Sequence, residues 1–156
     1  MKPIRSILPV LLALAVFSAA PGAQDKPSFA GTWKLSDPAQ PQMMTPSQVA
    51  ITQTAAELIM TATSEMGEFK TTYKLDGTAG RSPIDFNGQT IERATKATWN
   101  GSKLALSTTS DMGGQTIEFK SLLSLTADGA LLVESTYPDF QNGGAPITTK
   151  ATYKKP

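Results

Sequence analysis

Hydrophobic and polar residues alternate with a period of two along most of the chain. The clearest example is the segment 68–75, in which Phe69 and Tyr73 share one side of the chain and charged residues occupy the other. This alternation is typical of β-strands with one buried and one exposed face. It recurs at 115–125 and 146–154, whereas helical periodicity is essentially absent. The pattern predicts an all-β protein.

Residue pairs that favour tight turns separate these segments at short intervals. They lie at positions 66–67, 76–77, 87–88, 100–101, 113–114, 128–129 and 142–144. Because Asn-Gly, Asp-Gly and Gly-Gly pairs favour hairpins, they set the limits of the strands. We predict strands over 29–36, 48–53, 57–64, 68–75, 91–99, 103–110, 115–125, 130–137 and 146–154, with a short one near 83–87.

The order of these strands predicts an up-and-down antiparallel meander of about 8–10 strands. Such a meander either closes into a β-barrel, which removes exposed sheet edges, or folds into a sandwich. Sequential hairpins favour the barrel. Two similar segments, Thr63–Lys70 and Thr109–Lys120, fall on hairpins separated by an even number of strands. Their tips should lie at the same end of the barrel, so we expect Met66 and Met112 beside one opening.

The segment 1–23 has the features of a secretory signal peptide. Lys2 and Arg5 precede an apolar run, 7–20, that is too short to span a bilayer permanently. We expect cleavage at the end of the segment, which leaves 24–156 as a single domain. The expected destination is the periplasm or the extracellular space, and no later apolar stretch is long enough for a membrane helix.

Composition excludes several classes of function. The chain contains no cysteine and no histidine, so its stability depends on a core without disulfides, and the usual general base and zinc ligand are missing. Removal of Lys2 and Arg5 leaves 12 basic and 13 acidic residues, which are scattered rather than clustered. Nucleic acid binding needs a basic patch. We therefore expect no enzymatic activity, no cofactor and no nucleic acid partner.

Two weaker chemical hypotheses concern the predicted loops. Four methionines fall there: Met43, Met44, Met66 and Met112. Their thioethers could bind copper or form a flexible apolar portal, although scattered methionines usually fill gaps. Glu65 and Asp111 could form a carboxylate pair, but charged hairpin tips ordinarily serve solubility and no calcium-loop spacing surrounds them. We therefore assign the four methionines to portal loops and predict no metal site.

The first predicted strand carries a resemblance to a known group. It reads FAGTWKL from Phe29 to Leu35, and this Phe-x-Gly-x-Trp-x-Leu pattern resembles the opening of lipocalins and other calycin β-barrels. The later segments ATWNGSKLALSTT and SLTADGALLVES resemble hairpins of secreted bacterial lipocalin-like proteins of uncharacterised function. The resemblance covers nearly all of the mature chain. It implies an up-and-down barrel with Trp33 across its floor, Gly31 allowing close backbone approach, and a small apolar ligand inside.

The predicted inward faces favour an internal cavity. Small or hydroxylated residues alternate there with bulky ones: Thr71, Ser121, Ser135, Thr149 and Ala151. Small side chains leave volume, and a buried hydroxyl without a partner costs roughly 1–3 kcal/mol, so water or a polar-tipped ligand would satisfy them. The alternative is a barrel filled by side chains, whose hydroxyls bond backbone carbonyls.

Two functions remain from this reasoning. The first is an exported non-catalytic binding protein that holds a small, hydrophobic molecule inside the barrel. The candidate ligand-binding residues are Trp33, Phe69, Tyr73, Phe119, Tyr137 and Tyr153. The second is a filled-barrel structural or protein-interaction module of the cell envelope, whose partner meets an apolar patch on the loop rim.

Overall fold

The computed structural model describes residues 26–36 and 44–156, which form twelve β-strands and, within these ranges, no helix. The expected signal peptide and Met43 lie outside the described residues. The strands are β1 (Gly31–Leu35), β2 (Gln48–Gln53), β3 (Glu57–Ser64), β4 (Gly67–Lys74), β5 (Gly80–Arg81), β6 (Ile84–Phe86), β7 (Gln89–Ile91), β8 (Arg93–Asn100), β9 (Lys103–Met112), β10 (Gln115–Leu125), β11 (Leu131–Tyr137) and β12 (Ile147–Lys154).

Ten of these strands form a single antiparallel sheet in the order β4-β3-β2-β1-β12-β11-β10-β9-β8-β5. Most strands pair with their neighbours along the chain, and β1 also pairs with β12, with Leu35 opposite Tyr153. The sheet therefore curls into a nearly closed barrel. The prediction of an all-β, up-and-down meander that closes into a barrel is confirmed.

The predicted strand bounds agree with the structure to within two residues, except between 80 and 92. There, β6 and β7 form a separate hairpin in which Ile84 pairs with Ile91. Asn87 and Gly88 have φ angles of 51° and 76°, the mirror-type turn that Asn-Gly favours. The prediction of one strand beginning at Ile91 was wrong, because Ile91 ends β7 and β8 starts after Glu92.

A seam interrupts the barrel wall between β4 and the strands β5 and β8. Side chains bridge it in place of a backbone ladder. The Thr95 hydroxyl donates to the carbonyl oxygen of Thr72 at 2.8 Å, and the Thr72 N–H donates to Ser82 Oγ at 3.1 Å. Arg93 crosses the same seam, donating from Nη2 to the Lys70 carbonyl oxygen at 3.1 Å. The wall is therefore joined here by polar side chains.

Aromatic side chains close one end of the barrel. Trp33 is 2% exposed, and its Nε1–H donates to the carbonyl oxygen of Phe29 at 2.9 Å. The Phe29 ring stacks on Trp99 with 6.0 Å between centroids. Gly31 has a φ of 138°, and a Cβ there would lie 3.0 Å from Cε of Lys155, whose ammonium group lies 4.9 Å from the Trp33 ring centre. Gly31 thus leaves room for the lysine to cover the indole.

Tyr153 should make stability fall at high pH. Its ring is buried, and its hydroxyl donates to the Pro46 carbonyl oxygen at 3.0 Å. Burial raises the pKa of Tyr153 to about 12, from an ordinary value of about 10. The unfolded chain therefore loses this proton first, so the contribution of Tyr153 is complete below about pH 10 and is lost towards about pH 12.

Urea denaturation at several pH values tests this expectation. Between about pH 10 and 12, the denaturation midpoint of the wild type should fall more steeply than that of Tyr153→Phe. The lysines titrate in both proteins, so the comparison isolates the phenol. Equal slopes would contradict the expected shift.

Candidate ligand-binding cavity

A mostly apolar cavity of about 460 Å³ lies inside the barrel, between β3, β4, β9 and β10. Its walls include Met60, Ala62, Leu106 and Phe119. A smaller pocket of about 140 Å³ adjoins it. The two spaces share the lining residues Met44, Pro46, Met60, Ala62, Phe119 and Ser121. The barrel is therefore not filled by its own side chains at this end.

The inward-facing small residues contribute to this space as the alternation predicts. Thr71 and Ser121 line the larger cavity, and Ser135, Thr149 and Ala151 line the smaller pocket. Ser121 and Ser135 lie within hydrogen-bonding distance, with 3.4 Å between their hydroxyl oxygens. Among the described residues, no buried side-chain nitrogen or oxygen lacks a hydrogen-bond partner. The hydroxyls therefore do not need a ligand to satisfy them, and it is the volume of about 460 Å³ that shows the cavity.

Exposed apolar residues surround the mouth of the cavity. Met44, Met66 and Met112 line the cavity and are 38%, 46% and 43% exposed, which places them at its opening. Met66 and Met112 thus line the same cavity, while their role as a portal stays a prediction. Phe140, in the loop between β11 and β12, is 57% exposed, and its ring centre lies 6.1 Å from that of Phe119.

The β6–β7 hairpin covers another part of the cavity. Ile84, Phe86 and Ile91 all line it, and the Phe86 ring centre lies 6.3 Å from that of Phe69. Sequence reasoning missed this contribution. The signal was present, because Ile84 and Phe86 lie on one side of the Asn-Gly turn with a polar residue between them, and Ile91 follows the turn. That pattern is typical of a hairpin with one apolar face.

Polar groups cluster on the cavity wall next to the seam. The Tyr73 hydroxyl lies 2.9 Å from Thr108 Oγ1, and burial raises the pKa of Tyr73 above its ordinary value. Arg93 Nη2 donates to Thr71 Oγ1 at 3.0 Å. Burial lowers the pKa of Arg93. Ser110, which is opposite Arg93 in the β8–β9 ladder, also lines the cavity.

The structure brings together most of the candidate ligand-binding residues but not all of them. Three line the larger cavity: Phe69, Tyr73 and Phe119. Tyr137 and Tyr153 line the smaller pocket, together with Phe119. Trp33 lines neither space and lies in the core at the closed end. Sequence reasoning missed Arg93, although it lies on the same face of β8 as the buried Thr95.

Other kinds of site have little support in the part of the chain that the structure describes. There, no group of three or more His, Cys, Asp or Glu residues could hold a metal ion. The same residues include no helix long and apolar enough to cross a membrane.

The fold and the cavity define a small antiparallel β-barrel protein with an apolar internal space that opens at one end. No family model and no curated protein sequence matches the chain.

Proposed function

We propose that this protein is an exported, non-catalytic binding protein of the lipocalin-like type, which holds a small and largely apolar molecule in its barrel. The cavity of about 460 Å³ carries the proposal. Ligand pockets typically enclose roughly 300–1,000 Å³ and combine apolar walls with a few polar groups. The cavity has this composition, with Phe69 and Phe119 on its walls and Tyr73 and Arg93 as polar groups.

The mouth of the cavity supports the same proposal. Methionine is unbranched and polarizable, so it adapts to ligands of different shape. Met44, Met66 and Met112 are partly exposed at the mouth. Apolar side chains in such a position contribute little to the stability of the folded protein when no ligand covers them. Phe140 and the β6–β7 hairpin supply further apolar cover. A molecule entering the barrel would therefore exchange water for apolar contacts along its whole path.

The filled-barrel alternative is weaker. A filled barrel needs side chains in the space between Met60, Leu106 and Phe119, and the cavity weighs against this. Export and the absence of catalysis are supported by the sequence. Lys2 and Arg5 precede the short apolar run, and the chain has neither the imidazole nor the thiol that many catalytic sites use.

Native mass spectrometry of the mature protein from a secretion host tests the proposal. We expect a discrete adduct that is released on denaturation, and organic extraction should then give its chemical class. Protein freed of the adduct should bind N-phenyl-1-naphthylamine, a neutral apolar fluorescent probe, saturably and with one site per barrel. A clean mass together with no saturable probe fluorescence would contradict the proposal and favour a filled barrel with a protein partner.

A further inference from the structure

Arg93 is a cation in the cavity wall that has no carboxylate partner among the described residues. The described residues form two ion pairs, one between Lys120 and Glu118 and one between Lys150 and Glu134, and neither includes Arg93. Among the described residues that line the cavity, Arg93 is the one charged side chain. The inner side of the wall therefore presents a single positive charge.

Neutral oxygens use part of the hydrogen-bonding capacity of this guanidinium. Nε donates to the Ser82 carbonyl oxygen at 2.9 Å, and Nη2 donates to the Lys70 carbonyl oxygen and to Thr71 Oγ1. A guanidinium has five N–H donors, and the two on Nη1 make no hydrogen bond to the described residues. These contacts hold the guanidinium at the seam without neutralising its charge.

A partly buried charge without a counter-ion is unfavourable, and buried charges are usually paired. Burial accordingly lowers the pKa of Arg93, although an arginine stays protonated in proteins. Tyr73 feels the same charge, which counteracts part of the rise that burial causes in its pKa. The positive charge of Arg93 therefore also acts on Tyr73 inside the barrel, where charges are screened less than in water.

Carboxylates near Arg93 lie on the outer surface. Glu92 and Asp111 line a surface depression that also includes Arg93, and both side chains are exposed to solvent. Asp111 accepts a hydrogen bond from the Thr116 hydroxyl at 2.7 Å. Exposed charges are screened by water, so these two carboxylates leave the inner side of the wall positive.

We propose that the ligand carries a single anionic group, a carboxylate, sulfonate or phosphate, that pairs with Arg93 while its apolar part fills the cavity towards Phe119. The hydroxyls of Tyr73 and Thr108 supply neutral hydrogen-bonding groups beside the charge. This inference rests on the proposed function, because it names the ligand class of the same cavity.

Two matched probes test the inference. 8-anilinonaphthalene-1-sulfonate is N-phenyl-1-naphthylamine with one added sulfonate. The wild type, freed of bound molecules, should bind the sulfonate at least roughly tenfold more tightly than the neutral probe, since hydrogen bonds to charged groups are the stronger ones. Arg93→Gln should abolish this preference, so that the variant binds the two probes with affinities within about twofold of each other. Arg81→Gln is the matched control, because Arg81 is exposed on β5, and it should keep the preference.

The outcomes separate the inference from the proposed function. Equal affinity of the wild type for both probes, unchanged in Arg93→Gln, would overturn the inference and leave the proposed function standing. No saturable binding of either probe would overturn both. If the Arg93→Gln variant unfolds because the seam opens, a competition experiment with the wild-type protein tests the inference instead. Decanoate should displace the neutral probe at roughly tenfold lower concentration than 1-decanol, and equal potency would overturn the inference.

Discussion

Trp33→Ala should lower the free energy of unfolding by about 3–5 kcal/mol. The indole is 2% exposed at the closed end of the barrel, so its removal leaves a cavity that the surrounding core cannot fill. Its Nε1–H also donates to the Phe29 carbonyl oxygen, which would lose that donor. Domains of this kind are stable by about 5–15 kcal/mol in total. The variant should therefore retain only part of the stability of the wild type.

Urea denaturation followed by far-ultraviolet circular dichroism measures this loss without depending on the deleted fluorophore. Trp99→Ala is a suitable comparison, because Trp99 stacks on Phe29 but is only partly buried. We expect it to be less destabilising than Trp33→Ala. A loss below about 0.5 kcal/mol for Trp33→Ala, which is typical of surface sites, would show that Trp33 does not support the barrel floor.

The alternation of residues predicts most of the strands because the core lies on one side of every strand. In β4, for example, Phe69 and Tyr73 face inward and the charged residues face solvent. Between residues 80 and 92, the alternation does not predict the strand bounds correctly. The two residues of β5 are too few to show a period, and the alternation continues through Glu92 although the chain leaves one hairpin and enters another strand there. Ile91 pairs with Ile84 across the Asn87–Gly88 turn, but the alternation alone does not show that this hairpin ends there and that a new strand begins after Glu92.

For the candidate site, the sequence predicts which side chains point into the barrel but not how far along the barrel axis each one lies. The same reasoning turns Trp33 and Phe119 inward, yet one packs in the closed end and the other lines the cavity. Depth along the barrel depends on strand stagger and on the loops, neither of which alternation reports. Phe140 was missed because it lies in a loop without periodicity. Arg93 was missed although its spacing from Thr95 places it on the inner face, because a charged residue ordinarily indicates the outer one.

Ala62→Trp should abolish or severely weaken binding of the neutral probe while leaving the barrel folded. Ala62 lines both the larger cavity and the smaller pocket, so an indole there would occupy space that a ligand needs. Displacing three or four methylene-sized groups of ligand costs about 0.8 kcal/mol each, which lowers affinity by roughly two orders of magnitude. Overpacking a tight core costs about 1–3 kcal/mol. Because this side chain would enter open volume, we expect a smaller loss of stability.

Ala105→Trp provides the matched control, since Ala105 is exposed on the outer face of β9 between the buried Leu104 and Leu106. The same substitution there should leave probe affinity unchanged. Titration with N-phenyl-1-naphthylamine gives the affinity of each variant, and urea denaturation gives its stability. Unchanged affinity in Ala62→Trp would mean that the probe binds elsewhere, for example on the exposed side chains of the rim, and would contradict a binding site inside the barrel. Weak binding with wild-type stability would instead locate the ligand in the interior, because an added side chain can exclude a ligand without unfolding the wall only where unfilled volume exists.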